Sequence, residues 1–427
     1  MEQQAIVAIA VFLITYAMII TEKIHRTIVA MLGGLLVVLL GIVDVESAIS
    51  HHIDFNTLGL LIGMMIIVSI TAKTGLFTYI AVAAAKKAKG EPVKILVALA
   101  IITAIGSAFL DNVTTVLLIV PVTFSITRQL KVPPFPFLFT QILASNIGGT
   151  ATLIGDPPNI MIGSAVPELT FMAFIENLTP IVVLIMLVHL PIFVLLFRKR
   201  LRTTEEYKQG IMKMDVSELI TDRPLLVRCL VVLALTIAGF FLHQTFHVES
   251  SVVALTGAFV LLLLAGEHAM EEAFTRVEWT TIFFFIGLFT LVGSLVDTGV
   301  IGDLAVKAME LTGGDLVATS MLILWMSAIA SAFMDNIPFV ATMIPLIQEM
   351  GNMGMQNLEP LWWSLALGAC LGGNGTLIGA SANLITAGLS AKEGHPITFV
   401  QFLKYGFPFM LLSVGMSAVY IYLRYLL

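Results

Sequence analysis

The stretch SAFLDNVTTVLLIVP, Ser107 to Pro121, returns as SAFMDNIPFVATMIP, Ser331 to Pro345. GGTATLIGDPPNI, from Gly148, likewise returns as GGNGTLIGASANL, from Gly372. Both returns are steps of 224 positions. The same step pairs Thr57, Ile62 and Gly63 with Thr281, Ile286 and Gly287, and Thr74-Gly75 with Thr298-Gly299. It also pairs Val29, Ala30 and Gly33 with Val253, Ala254 and Gly257. A constant step over so much of the chain marks a duplicated unit, and internal repeats decide architecture before any local reading.

Composition sets the solvent. Of 427 residues, 58% are hydrophobic and only 12% are charged, against about 45–50% and about 25% in soluble domains. Mean hydropathy is +0.99. A soluble enzyme is excluded, and a net charge of -6 without a basic stripe excludes nucleic-acid binding. Cys229 and Cys370 form no CxxC or zinc spacing. HExxH, GxSxG and Walker motifs are lacking, so no metal, cofactor or enzymatic chemistry is expected. The leader Met1-Glu2-Gln3-Gln4 has no basic flank, and the apolar run to Ile20 reads as a retained helix.

Spanning helices need about 20 mostly apolar residues. Candidates are 5–20, 27–43, 55–72, 137–166 and 171–197, then 224–242, 250–265, 279–296, 361–389 and 402–426. Two further apolar stretches, 93–127 and 316–347, are interrupted by Asp111-Asn112 and Asp335-Asn336. Beyond each pair only about 10–16 residues remain, about 15–24 Å of helix. Re-entrant hairpins are therefore expected. The fold expected is an all-α polytopic membrane protein of two inverted-topology repeats. It has about ten spanning helices plus two re-entrant hairpins with broken helices. Residues 1–197 form the first repeat, 198–223 a cytoplasmic linker and 224–427 the second, inverted repeat.

Loop charge orients the chain. Lys23, Arg26, Lys86, Lys87, Lys89, Lys94, Arg128 and Lys131 fall in connections of the first half. The matching connections of the second half, 243–249, 310–315 and 348–360, hold no Lys or Arg. The positive-inside rule puts the first set in the cytoplasm. Five crossings per half then invert the second copy, and both termini lie outside the cytoplasm. Inverted repeats with broken helices mark secondary transporters, whose sites form at mid-membrane.

Carboxyls at that depth are costly and mark function, so Asp111 and Asp335 are candidate proton carriers. The plainer role for an Asp-Asn pair is to cap the helix that follows. Asn112, Thr114, Thr115 and Asn336 flank these carboxyls. In the broken helices, Gly148, Gly149, Thr152 and Asn159 match Gly372, Gly373, Thr376 and Asn383. Glycine lets backbone approach a ligand, while Thr and Asn supply neutral donors and acceptors. Asp156 faces Ala380 in the repeat and becomes a third coupling carboxyl. Lys73 and Asp297 are also equivalent, though snorkelling suits Lys73 equally well. His189 reads as a hydrogen-bonded core residue and Cys370 as a small packing residue.

The two Asp-Asn tips, each followed by a GGxxTLIG element and an Asn, resemble the ion transporter superfamily. Within it the chain is similar to the ArsB/NhaD branch of arsenite permeases and sodium/proton antiporters. That branch includes relatives of the melanosomal P protein. The resemblance covers almost the whole chain and implies elevator-like alternating access in a homodimer. Some arsenite permeases of this kind recruit an arsenite-stimulated ATPase subunit. The dicarboxylate branch carries Ser-Asn-Thr at its tips; here Asp111-Asn112-Val113 and Asp335-Asn336-Ile337 stand there. Added negative charge suits a cation, a proton or neutral arsenous acid better than a polyanion. The function expected is a proton-coupled antiporter of the inner (cytoplasmic) membrane, exporting arsenite, antimonite or sodium. Its partners are protons, a small inorganic ion or oxyacid, and the lipid bilayer. A sodium-coupled di- or tricarboxylate symporter is the alternative, and a cation channel a remote one.

Overall fold

The apolar runs form helices whose ends fall at Asp, Pro and Gly. A computed structural model describes residues 2–21, 23–216, 218–243 and 245–427. Met1 of the leader, Ser217 of the expected linker and Gln244 of the second repeat lie outside them. The first half runs α1 (Glu2–Thr21), α2 (Arg26–Leu39), α3 (Val45–Ser47), α4 (Phe55–Lys73) and α5 (Leu76–Lys87). It continues with α6 (Pro92–Leu110), α7 (Asn112–Leu130), α8 (Phe135–Gly149), α9 (Pro157–Ala165) and α10 (Phe171–Phe197). A short α11 (Glu205–Met212) sits in the connection. The second half runs α12 (Arg223–Leu242), α13 (Ser250–Ala265), α14 (Glu267–Arg276), α15 (Trp279–Asp297) and α16 (Val300–Thr312). Then come α17 (Leu316–Phe333), α18 (Asn336–Asn352), α19 (Glu359–Gly372), α20 (Ser381–Lys392) and α21 (Phe399–Ile421). A shift of 224 lays α1 on α12 and each later helix on its partner, through α10 on α21. Among the described residues, 9 helices are long and apolar enough to span a membrane, and α2 and α13 are shorter apolar ones.

The two Asp-Asn segments are hairpins. Gly90, just before α6, packs on Lys208 of α11, and Gln129, near the end of α7, packs on Gly210 of the same helix. Both feet of the first hairpin therefore stand on α11, with Asp111 at its tip. The second hairpin stands on α16: Thr319 of α17 bonds Thr312 at 2.9 Å, and Glu349 of α18 lies 4.0 Å from where a Gly302 Cβ would sit. Beyond Asn112 the helix runs 18 residues to Leu130, longer than the 10–16 read from hydropathy, while beyond Asn336 it runs 16 to Asn352, at the upper end of that range. The helix continues through polar residues because they find partners at its foot, as Arg128 does with Glu393 at 2.5 Å.

Packing shows the inversion directly. Phe135, at the start of α8, meets Phe197 at the end of α10, with ring centroids 6.2 Å apart. Trp363, in the first turns of α19, instead meets Phe174 at the start of α10, at 5.1 Å. Those two positions on α10 are on the order of 34 Å apart. The two broken helices thus enter from opposite ends.

Glycine sets how closely the halves approach. A Cβ on Gly63 would lie 2.7 Å from the Ala254 backbone, and one on its twin Gly287 would lie 2.5 Å from the backbone of Ala30, the twin of Ala254. His189 and Ser413 are also twins and bond each other, Nε2 to Oγ at 3.0 Å, so they sit on the pseudo-twofold axis. His189 Nδ1 reaches Ile185 O at 2.9 Å, which makes it the core residue expected. Substituting Leu at Gly287 is predicted to lower stability by about 1–3 kcal/mol through overpacking. Ala at Gly415, where nothing lies within 4 Å, is predicted to leave it unchanged or slightly raised. Thermal unfolding of the purified protein in detergent checks both; equal melting for the two variants would contradict the close approach.

Candidate functional site

The breaks after α8 and α19 free backbone carbonyls deep in the protein, where no solvent can satisfy them. Asn159 Nδ2 donates to Thr150 O (3.1 Å) and Thr152 O (2.9 Å). Its twin Asn383 donates to Gly373 O (2.7 Å) and Thr376 O (2.9 Å). Thr152 and Thr376 each tie their loop to the neighbouring hairpin, through Ala108 O and Ala332 O. Gly149 and Gly155 face one another so closely that a Cβ on either would strike the other's carbonyl, and Gly373 and Gly379 do the same. Gly148 and Gly372 pack against the backbones of Ala104 and Ala328. These ten motif positions build the loops.

The hairpin tips differ from one another. Asp111 adopts φ +73°, a strained backbone for a non-glycine residue. Its Oδ1 accepts from Thr114 N (2.8 Å), its Oδ2 from Thr114 Oγ1 (2.7 Å), and its carbonyl from Thr115 Oγ1 (2.7 Å). All its polar contacts lie within its own helix turn, so it is a cap. Asp335 also caps, accepting from Ile337 N at 3.1 Å. Its Oδ2 does more: it accepts from Ser381 Oγ at 2.7 Å and pairs with Arg26. Arg26 also donates to Ser381 Oγ at 2.9 Å, and its guanidinium stands 5.0 Å from the Phe284 ring centroid.

Asn side chains join the two halves at the centre. Asp156, 1% exposed, has the Asn336 amide 3.3 and 3.5 Å from its two oxygens. Asn112 Nδ2 donates to Asn146 Oδ1 (3.2 Å), and Asn146 Nδ2 donates to Asn374 Oδ1 (3.0 Å) and Asn383 Oδ1 (2.9 Å). The two carbonyls fixed by Asn383 Nδ2 set the direction of this chain of amides. It leaves Asn112 Oδ1 and Asn374 Nδ2 buried without a partner among the described residues, which is where a solute or water belongs. Cys370, the twin of Asn146, is buried with its thiol 3.6 Å from Asn159 Oδ1.

A cavity of about 40 Å³ lies between the tips, lined among others by Arg26, Asp111, Asn112, Asp156, Glu278 and Asn336. It holds a few waters or a bare ion. A larger cavity of about 440 Å³, lined by His51, His52, Asp54 and Gln348, approaches α9 and α18 from the far end. Asp54 and Glu278, Met161 and Ile385, and Phe289 and Met65 are twins divided between the two cavities or their linings. The two are pseudo-symmetric counterparts, one wide and one narrow.

Of the residues singled out from sequence, Asp111, Asp156, Asp335, Asn112 and Asn336 are brought together. Lys73 and Asp297 are not: Lys73 pairs with Glu272, while Asp297 meets His52 Nε2 at 3.0 Å. Sequence reasoning missed Arg26, Asn146, Glu278, Asn374 and Ser381. Asn146 and Asn374, amides within or beside an apolar run, were visible signals. Arg26 carries no repeat signal, because its twin is Ser250. Removing the loop ties tests their role. Asn159→Ala and Asn383→Ala each strand two buried carbonyls, at about 1–3 kcal/mol per unsatisfied group. Both are predicted to lower the melting temperature in detergent, whereas unchanged melting would show that water can replace the amide.

Comparison with known proteins agrees with this geometry. An uncharacterized transporter of Mycobacterium tuberculosis is 43% identical over 99% of each chain. The P protein of Mus musculus is 35% identical over all of this chain and 61% of its own length. The YdaH transporter of Alcanivorax borkumensis shares the fold, with a TM-score of 0.62 at 13% identity over 93% of this chain and 98% of that one. Residues 16–368 match the citrate transporter family. The chain is an integral, multi-pass membrane transporter, and it belongs to the CitMHS citrate transporter family.

Proposed function

We propose that the chain is a proton-coupled antiporter that exports a small inorganic solute, arsenite (or antimonite) or sodium. The observation that carries this reading is the charge around the central cavity. Asp111, Asp156, Asp335 and Glu278 surround one cation, Arg26. Arg26 is spent on Asp335, and among the described residues no cation is bonded to Asp156. A buried carboxylate without a counter-charge must take a proton or a bound cation. Proton and solute then compete for the same carboxyls, so each conformation carries one or the other. That competition is exchange. The unequal size of these two pseudo-symmetric cavities supports alternating access. The loop charges support a place in the cytoplasmic membrane with both termini outside the cytoplasm. A homodimer and an arsenite-stimulated ATPase partner remain part of this proposal through the resemblance alone.

Sodium-coupled carboxylate symport is the second reading. It is favoured by Arg26 at the cavity, and by the citrate named for the family. Purified protein in liposomes with a pH-sensitive dye separates the two. Arsenite, sodium, lithium, citrate and succinate are added in turn to wild type and Asp156→Asn. Proton movement triggered by arsenite or sodium, and abolished in the variant, is the predicted result. Silence with those solutes, together with sodium-dependent citrate or succinate uptake that survives the substitution, would overturn antiport.

A further inference from the structure

A groove of about 450 Å³ runs along the outer surface of the first half, between α6 and α10. Its walls include Ile101 and Ile105 of α6 and Val183 and Leu187 of α10, all exposed on the outside of the bundle. Its floor is the break after α8, at Gly148, Ala151 and Thr152. Both α6 and α10 are long and apolar enough to span a membrane, so the groove faces lipid. We propose that this groove binds one anionic phospholipid, with an acyl chain along its length and the phosphate held between Lys94 and Arg198.

Two independent features carry this. The second half shows what fills such a groove. There the twins of Ile101 and Val183 are Trp325 and Phe407, and the Phe407 ring meets Phe333, the twin of Phe109, with centroids 6.4 Å apart. Aromatic side chains occupy in one half the space left open in the other, and an open apolar groove forfeits those contacts unless something enters it. Charge is the second feature. Both helices reach the foot of the first hairpin: Gly90, just before α6, packs on α11, and Phe197, at the end of α10, meets Phe135 just past the hairpin. Lys94 precedes Ile101 by seven residues and Arg198 follows Leu187 by eleven, two and three turns on the same helix faces. The two cations therefore stand at the same end of the groove, about 10 and about 16 Å beyond those wall residues. Both are exposed, and among the described residues neither pairs with a carboxylate; Glu91 close by is taken by Lys208 at 2.8 Å. Their twins, Ala318 and Tyr422, are uncharged, so the filled groove lacks the cations as well. Two cations at the membrane surface flanking an apolar groove suit an anionic headgroup.

Occupancy has a consequence for the broken helix. At the floor, Thr179 Oγ1 donates to Ala151 O at 2.9 Å, and Thr152 Oγ1 donates to Ala108 O. An acyl chain lying over them shields both bonds and fastens α10 to the hairpin arm across the loop. The groove and the central cavity share no lining residue. The lipid site is thus separate from the proposed exchange and does not rest on it.

Lipid-dependent melting tests the site. Delipidated protein in neutral detergent is melted with phosphatidylglycerol or phosphatidylcholine of the same acyl chains, and retained lipid is counted by native mass spectrometry. Wild type is expected to gain melting temperature saturably, and more with phosphatidylglycerol than with phosphatidylcholine. Glycerol 3-phosphate, a headgroup without a chain, is expected to give no gain. Ile101→Trp and Val183→Phe, which copy the filling of the second half, are each expected to abolish the lipid-dependent gain and to retain one phosphatidylglycerol fewer per chain. Lys94→Gln/Arg198→Gln is expected to bring the phosphatidylglycerol response down to the phosphatidylcholine level. Those two positions are on the surface, so this variant carries the test if the filled ones do not fold. Equal responses to the two lipids in wild type, a gain from glycerol 3-phosphate alone, or a lipid gain that survives filling would overturn the proposal. A two-chain mass that the filled variants reduce to one would overturn it too, giving the groove to a second copy. Neither readout involves transport, so failed exchange in liposomes and a failed lipid site are separate results.

Discussion

Two broken helices can exist inside a bilayer only if the carbonyls they release are bonded within the protein. Asn159 and Asn383 do this, each with one amide nitrogen on two carbonyls of its own loop. Much else follows from that constraint. The loops must be tight, which requires the facing glycines at 149 and 155 and at 373 and 379. They must also lie close to the hairpins, which Thr152 and Thr376 secure. With each loop spent on itself, the side chains left over at the centre are Asp156, Asn146, Asn374 and the two tip pairs. Those are the groups that line or border the cavity.

The duplication makes the scaffold symmetric, and the departures from it make the site. Asp156 faces Ala380, Asn146 faces Cys370, and Arg26 faces Ser250 across the repeat. Twins that kept their chemistry make the same bond in both halves: Asn159 to Thr152 O and Asn383 to Thr376 O, each at 2.9 Å, and Ser107 to Ser145 O and Ser331 to Ala369 O, each at 2.6 Å. Twins that diverged leave both a carboxyl, Asp156, and a guanidinium, Arg26, in the first half alone, and both line the central cavity. A symmetric carrier framework thereby holds an asymmetric set of charges.

The repeat, the hairpins and the broken helices were legible because each leaves a local mark: a constant step, an Asp-Asn inside an apolar run, or a Gly-Gly-Thr element. The site was only partly legible. Conserved motif residues between the halves drew attention to Gly148, Thr152 and their twins, yet these support the loops. The twin of Arg26 is the uncharged Ser250, and Arg26 lies 309 positions from Asp335, so no spacing rule could join them. Only the packing of α2 on α15 brings that guanidinium to the second tip. The first hairpin arm was underestimated for a related reason, since hydropathy does not see that Arg128 is satisfied by Glu393, distant in sequence.

Competition between proton and solute at a buried carboxyl is the central claim, and Asp156 is its most direct bearer. Proton release on solute binding, followed with a pH indicator in weakly buffered detergent solution, measures that competition without any membrane or gradient. Wild-type protein should release protons as arsenite or sodium is titrated in, with less released by Asp156→Asn. Saturable binding of either solute with no proton release from wild type would contradict the account.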